Sequence, residues 1–177
     1  MDCPQCKGYR LEPKELEAGL LGAGCNKCEG VMLPLMNYRY WQDQNPVVDN
    51  IFEDIVIEDS EQAKTCPKCS RFMSRFQVGV DTANRIDMCT GCDEAWLDKG
   101  EWQLLKQLDL HDRLPKIFTD AWQRNIRLKK QENTQKERFQ ELLGESDFSK
   151  VDDFKQWLDQ HPEKHQIRLF LQMNFNN

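Results

Sequence analysis

The chain has no long hydrophobic run. None of its 177 residues lies in an apolar stretch approaching the roughly 18 residues that a membrane-spanning helix needs. The opening residues Met1-Asp2-Cys3-Pro4 resemble neither the basic nor the apolar part of a signal peptide. We therefore expect a cytoplasmic protein. A mean hydropathy of -0.77 further predicts small, well-solvated modules instead of one large core.

Motifs of the common enzyme classes are also missing. The sequence contains no GxGxxG, no Walker loop, no HExxH and no nucleophile elbow. The chain has only three histidines. His111 is isolated, and His161 and His165 lie at a predicted helix start, so no histidine group typical of a catalytic site is present. We expect no catalytic residues and a protein that is not an enzyme.

Cysteine, in contrast, is plentiful and regularly placed. The eight cysteines form four CxxC pairs, and none is left over. Disulfides are disfavoured in a reducing cytosol, whereas two-residue spacing lets both sulfurs of a tight turn face one tetrahedral ion. The gaps from Cys6 to Cys25 and from Cys69 to Cys89 both have the length typical of four-cysteine zinc sites. Disulfides or iron remain alternatives.

We therefore predict two Zn²⁺ ions, each held by four cysteines and closed to water. The first site comprises Cys3, Cys6, Cys25 and Cys28, and the second comprises Cys66, Cys69, Cys89 and Cys92. An interleaved pairing, in which Cys3/Cys6 share an ion with Cys66/Cys69, is the other possibility. An internal repeat argues against it, because both cysteine pairs recur at nearly the same offset, which then aligns Leu33 with Leu97.

The second copy carries a more specific signature. Its residues are Cys66-Pro67-Lys68-Cys69, Phe72-Met73, Cys89-Thr90-Gly91-Cys92 and Trp96-Leu97-Asp98-Lys99-Gly100-Glu101. This stretch resembles the bacterial zinc-ribbon family named for its similarity to the ribbon of transcription factor IIB. The resemblance covers residues 66 to about 105, is weak for residues 3–40, and implies a β-hairpin ribbon with four zinc-binding cysteines. The Asp93-Glu94 pair stands where that family usually has two glycines.

We predict an α+β fold with two tandem four-cysteine zinc ribbons, each a small β-hairpin module, followed by a three-helix C-terminal region. The boundaries are residues 1–45 for the first ribbon, 46–64 for an acidic connector, 65–110 for the second ribbon and 111–177 for the helical region. Alternating residues predict hairpin strands at 76–80 and 85–88. Asp98 and Glu101 resemble an N-cap with its capping box, and Pro34 suits the start of a helix in the first ribbon. Residues 55–57 are predicted to form a short strand between the ribbons, with a free linker as the alternative.

The helical region shows three apolar segments. One opens at Pro115 and closes at Gly144, the next begins near a loose capping box of Ser149 and Asp152, and the last follows Pro162. Met173 and the aromatic residues on these helices are expected to form a core, with a groove for a partner as the alternative.

The distribution of charged side chains indicates which kinds of partner the protein could bind. The net charge of -6, lowered further by two zinc–thiolate clusters, argues against a general nucleic-acid coat. A local exception is the long helix with Arg124, Arg127, Lys129, Lys130, Lys136 and Arg138, to which the second ribbon adds Lys64, Lys68, Arg71, Arg75 and Arg85. The simpler interpretation of these cations is a solvated helix face, and the alternative is a surface that meets phosphates or an acidic protein.

Three functions remain open. The leading hypothesis is a zinc-binding adaptor or regulatory protein whose ribbons and helical tail dock onto a protein, for example in the transcription or translation machinery. The alternative is direct DNA or RNA binding through the second ribbon and the basic helix at residues 124–138. A role in metal handling or thiol chemistry comes third. No membrane partner is expected.

Overall fold

The computed structural model describes residues 1–44 and 62–173. It divides the chain into two units, residues 1–128 and residues 129–177. The first unit contains both ribbons, and the second contains helical chain. The predicted acidic connector lies outside the described residues except for its last three positions, and so does the predicted strand at residues 55–57.

The first ribbon is an antiparallel three-stranded sheet followed by a helix. Its elements are β1 (Glu12–Glu17), β2 (Leu20–Gly24), β3 (Val31–Pro34) and α1 (Leu35–Gln44). Proline ends β3 directly before the helix, as the sequence predicted, because its fixed φ suits a helix start. Helix α1 buries Leu35, Tyr38 and Trp41, which recur every three residues on one face.

The second ribbon repeats this arrangement. Its elements are β4 (Ser74–Gln77), β5 (Arg85–Cys89), β6 (Glu94–Leu97) and α2 (Glu101–Gln107). The first hairpin strand therefore ends at Gln77, and the prediction that it continues to residue 80 is wrong. The Gln77 side chain explains this, because its amide Nε2 donates to the carbonyls of Gly79 and Thr82 at 2.9 and 3.0 Å and builds a loop there.

The two ribbons share one six-stranded sheet in the order β1-β2-β3-β6-β5-β4. Strands β3 and β6 join them in antiparallel register, with Met32 opposite Trp96 and Leu33 opposite Ala95. The repeat offset that aligns Leu33 with Leu97 also aligns Met32 with Trp96, so these two residues are equivalent positions of the two copies. The join therefore has the geometry of an approximate two-fold axis at the Met32–Trp96 pair.

Alternate residues of the joining strands belong to two different clusters. Leu33, Ala95 and Leu97 pack with the helices, whereas Met32 and Trp96 pack with the buried cysteines. This division follows from the two-residue period of a β-strand. On the helix side, the rings of Trp41 and Trp102 meet edge to face at 5.7 Å. The helices of both ribbons thus close one common core.

Four helices follow the ribbons among the described residues, one more than predicted. They are α3 (Leu114–Ile117), α4 (Asp120–Leu143), α5 (Glu145–Gln160) and α6 (Lys164–Gln172). The helix that Pro115 opens ends early, and Thr119 starts a new one by accepting a hydrogen bond from the Trp122 backbone N–H at 3.3 Å. The α+β class with two ribbons is otherwise confirmed.

Two further predictions for the helical region are wrong. Ser149 and Asp152 form no capping box, because both lie inside α5, which begins directly after Gly144. The expected core is also missing from the described part of the second unit, where Leu158 is the buried apolar side chain. Trp157 and Met173 are about half exposed, at 50% and 52%. No helix in the described parts of the chain has the length and apolar character of a membrane span.

Candidate metal centres

The first candidate centre lies where two turns of the first ribbon meet. The sulfurs of Cys3, Cys6, Cys25 and Cys28 all lie within 4.8 Å of one another, and the Cys3 and Cys28 sulfurs are 3.6 Å apart. A tetrahedral zinc ion with Zn–S bonds of about 2.3 Å places its sulfurs about 3.8 Å apart. The four thiols therefore have the spacing that one zinc ion requires.

The second centre has the same layout. The sulfurs of Cys66, Cys69, Cys89 and Cys92 also lie within 4.8 Å of one another, and the Cys69 and Cys89 sulfurs are 3.6 Å apart. Each centre takes all four sulfurs from one copy, so the interleaved pairing is not what the fold forms. The chain thus has two four-cysteine sites that fit two zinc ions. Within residues 1–44 and 62–173, no other group of three or more metal-binding side chains comes together.

Backbone geometry in the CxxC turns prepares these sites. Glu29 and Asp93, which directly follow the trailing cysteine pairs, have positive φ angles of 59° and 57°. At each of these positions the left-handed backbone reverses the chain direction. The Glu29 N–H therefore donates to the Cys25 carbonyl and the Asp93 N–H to the Cys89 carbonyl, both at 2.9 Å. Amide groups also point at sulfur, as the Cys6 N–H does toward the Cys3 sulfur at 3.2 Å. Such donors stabilise bound thiolates.

Each centre contains one acidic thiol and others that resist ionisation. Burial raises the pKa of Cys25, but the backbone N–H groups of Cys28 and Lys27 outweigh it and lower this pKa to about 7. The backbone N–H of Arg71 is the largest cause that lowers the pKa of Cys69 to about 6. Hydrogen bonding to Cys69 raises the pKa of Cys92 to about 12. Thiolates this close together repel one another, and a bound metal cation would stabilise them.

A buried ion-pair network adjoins the second centre. The Lys64 ammonium is 2% exposed and donates to Asp87 at 2.8 Å and to Asp98 at 2.9 Å. Burial lowers the pKa of Lys64, yet the hydrogen bonds to the two carboxylates outweigh this and raise it. Lys64 therefore cannot reach a phosphate, and its assignment to a basic surface is wrong.

The same network corrects the predicted role of Asp98. Its carboxylate does not cap α2, because it accepts hydrogen bonds from Lys64 and from the Trp96 indole N–H at 2.6 Å. Only the return half of the capping box forms, in which the Asp98 backbone N–H donates to the Glu101 carboxylate at 2.7 Å. The aspartate of the Trp-Leu-Asp-x-Gly-Glu segment thus anchors the second ribbon from inside. No local pattern signals this network, because Lys64 is distant from Asp98 in the sequence.

Three other cations of the second ribbon also lie beside negatively charged groups, whereas Arg85 is exposed. Lys68 forms an ion pair with the buried Glu94, and the Arg75 Nε lies 3.7 Å from an Asp87 oxygen. Arg71 lies beside Cys69, which raises the pKa of the Arg71 guanidinium. These side chains offset the negative charge of the thiolates and carboxylates around the second centre.

The cations of α4 are placed differently. Arg124, Arg127, Lys129 and Lys130 are all exposed. Among the described residues, no carboxylate lies within ion-pair distance of these four side chains. They remain available to solvent or to a negatively charged partner.

A scan against protein-family models, a search of curated protein sequences and a search of solved structures each return no match to this chain.

Proposed function

We propose that this chain is a non-catalytic, zinc-binding adaptor of the transcription-factor-IIB-like ribbon type, whose ribbons and helical tail dock onto a protein assembly such as the transcription or translation machinery. Zinc has a structural role here. Four thiolates fill the tetrahedral shell, so neither centre offers the open coordination position of a catalytic zinc site.

The observation that carries this proposal is the contrast in packing between the two units. The first unit buries Tyr38, Trp96 and Trp102 at 1% exposure or less, although Tyr9, Tyr40 and Phe72 are exposed. Among the described residues of the second unit, in contrast, no aromatic side chain is buried. The described part of the second unit leaves Phe154 and Trp157 on α5 and Phe170 on α6 exposed at 41–61%. Exposed apolar clusters of this kind mark surfaces that bind proteins. Aromatic anchors also supply much of the binding free energy at protein interfaces.

Affinity capture with zinc-loaded full-length protein tests this proposal. Wild type is compared with Trp157→Ala and with Tyr40→Ala, which removes an aromatic residue of the first ribbon that is more exposed than Trp157. We expect Trp157→Ala to lose a specific partner that the control retains, and calorimetry with that purified partner to show at least a tenfold weaker affinity. Equal capture by all three proteins would contradict docking through the helical tail.

Direct DNA or RNA binding is the second candidate, and the unpaired cations of α4 support it. Residues 124–138 carry six basic side chains against Glu132 and Glu137. Helix α4 places these side chains along 24 continuous helical residues, and those from 129 to 138 are all exposed. A rod of this kind can follow a line of phosphates.

Fluorescence anisotropy with labelled single-stranded DNA, duplex DNA and RNA separates the two functions. If nucleic acid is the partner, binding near physiological salt should be micromolar or tighter, with a steep salt dependence. The double variant Lys129→Glu/Lys130→Glu should then abolish it, whereas Lys150→Glu on α5 should change it little. Absence of binding at low salt would reject this candidate.

A further inference from the structure

A groove lies on the sheet where the two ribbons join. It has a volume of ≈ 170 Å³ and is lined from the first ribbon by Leu21, Met32 and Pro34, with Met1 at one side. Lys68 and Glu94 line it from the second ribbon. Neither ribbon could form this groove alone, since its walls come from both.

The repeat explains why this place is open. The equivalent position in the other half holds the indole of Trp96, which packs so closely over Gly30 that a Cβ atom on the glycine would lie 2.3 Å from the ring. In the groove, Met32 takes the place of Trp96, and Glu94 takes the place of Gly30 at the same repeat offset.

The neighbours of Trp96 differ in the same way. At the offset of the leading cysteine pairs, Met1 corresponds to Lys64, and at the offset of the trailing pairs, Ala23 corresponds to Asp87 and Pro34 to Asp98. The backbone supports this pairing, because Leu11 donates to the Met1 carbonyl at 2.8 Å as Met73 does to the Lys64 carbonyl at 2.9 Å. In the first ribbon, small or apolar residues thus stand where the second ribbon has the Trp96 indole and the ion pairs around it. The volume that those groups fill in the second ribbon is left open as the groove.

Glu94 supplies the polar side of the groove. The residue is 2% exposed, and its Oε1 accepts a hydrogen bond from the Lys68 ammonium. Its other oxygen, Oε2, is buried and has no hydrogen-bond partner. A buried carboxylate oxygen without a donor costs free energy, which a ligand with an N–H or O–H group would recover.

We propose that this groove is a docking pocket for a tyrosine side chain of the protein partner, and that the buried Glu94 carboxylate turns toward the groove on binding so that Oε2 accepts a hydrogen bond from the phenol O–H. A cavity of about 150 Å³ accommodates one benzene ring, so the groove matches a six-membered ring in volume. The apolar walls contact the ring, and the carboxylate selects the hydroxyl. The chain already uses a related contact, since the Trp96 indole N–H donates to the Asp98 carboxylate at 2.6 Å. This inference rests on the proposed adaptor function and specifies one anchor of the partner.

Titration of ¹⁵N-labelled, zinc-loaded full-length protein with acetyl-Ala-Tyr-Ala-amide tests the pocket by nuclear magnetic resonance. We expect saturable shifts at the backbone amides of Leu21, Gly22, Ala23 and Asn37, with a dissociation constant of about 1 mM or above for so small a probe. The matched acetyl-Ala-Phe-Ala-amide lacks only the hydroxyl and should bind about tenfold more weakly.

Two variants distinguish the contribution of the Glu94 hydrogen bond from that of the apolar wall of the groove. Glu94→Gln should weaken tyrosine-peptide binding about tenfold and leave phenylalanine-peptide binding unchanged. Leu21→Ser, at a side chain that is 53% exposed, should weaken both peptides equally. Glu29→Gln, at an exposed carboxylate paired with Lys99, is the control and should change neither.

Equal affinity for the two peptides, or shifts elsewhere on the protein, would overturn the assignment. A dimer in sedimentation velocity that Tyr40→Phe dissociates would place a second copy in the groove and also overturn it. If peptide binding fails while Trp157-dependent capture persists, the pocket is rejected and the adaptor function stands. If the tyrosine peptide binds and capture fails, the adaptor function is rejected.

Discussion

At the scale of single residues, the buried ammonium of Lys64 gives the sharpest stability prediction. Lys64→Met would leave Asp87 and Asp98 buried close to each other without their shared cation. Breaking a buried ion pair from one side costs about 3–5 kcal/mol, so we expect urea unfolding of the zinc-loaded protein at pH 7 to show a loss of that size. Lys99→Met, which removes an exposed pair with Glu29, should change the transition little. Similar midpoints for the two variants would contradict the burial of Lys64.

Tyr38 predicts a pH dependence. Burial raises the pKa of Tyr38 to about 12, and its hydroxyl donates to the His111 carbonyl at 2.7 Å. The folded protein therefore holds this proton more tightly than the unfolded chain, whose tyrosine pKa is about 10. The stabilisation is complete below pH 10 and falls by up to about 1.4 kcal/mol per pH unit between 10 and 12. The stability advantage of wild type over Tyr38→Phe should shrink across that interval, whereas Tyr40→Phe should match wild type throughout.

Single residues also show how far the sequence could predict this site. The grouping of eight cysteines followed from spacing alone, because each CxxC turn fixes two sulfurs locally. The role of Asp98 could not follow, since its position before Glu101 favoured a helix cap. Asp98 instead pairs with Lys64, which is distant in the sequence. Only the folded sheet brings the Lys64 and Asp98 side chains together.

At the scale of elements, the first turn of α4 protects an edge of the sheet. The Gln123 side chain accepts a hydrogen bond from the Gln77 N–H at 3.2 Å and donates to the Gln77 carbonyl at 2.9 Å. Gln123→Ala should lower the free energy of unfolding by about 2 kcal/mol and speed amide exchange at Gln77. Arg124→Ala, at the exposed neighbouring position, is the control and should do neither. Unchanged exchange at Gln77 would show that α4 does not cover β4.

Elements also differ in how well local patterns predict them. The helix of the first ribbon follows from Pro34 and from apolar residues on one face, because both signals are local. The pairing of β3 with β6 could not be predicted in this way, because strand pairing between the copies depends on contacts between distant parts of the sequence. In the tail, the apolar spacing correctly indicated helices and wrongly indicated a core. Periodicity defines an apolar face without specifying what covers it.

At the scale of the whole molecule, the shared sheet predicts that the two zinc centres lose their structure together. Cys69→Ser removes one of four ligands, so the second centre should release its zinc, because an incomplete thiolate shell binds the ion weakly. Since β6 pairs with β3 and the helices of both ribbons share one core, ribbon-one amides such as Leu20 and Leu33 should also lose protection against exchange. Cys28→Ser in the other centre should give the reciprocal result. Zinc content by mass spectrometry, combined with residue-resolved exchange, measures both effects. Loss of one zinc ion with full protection of the other ribbon would show that the copies fold independently despite their common sheet.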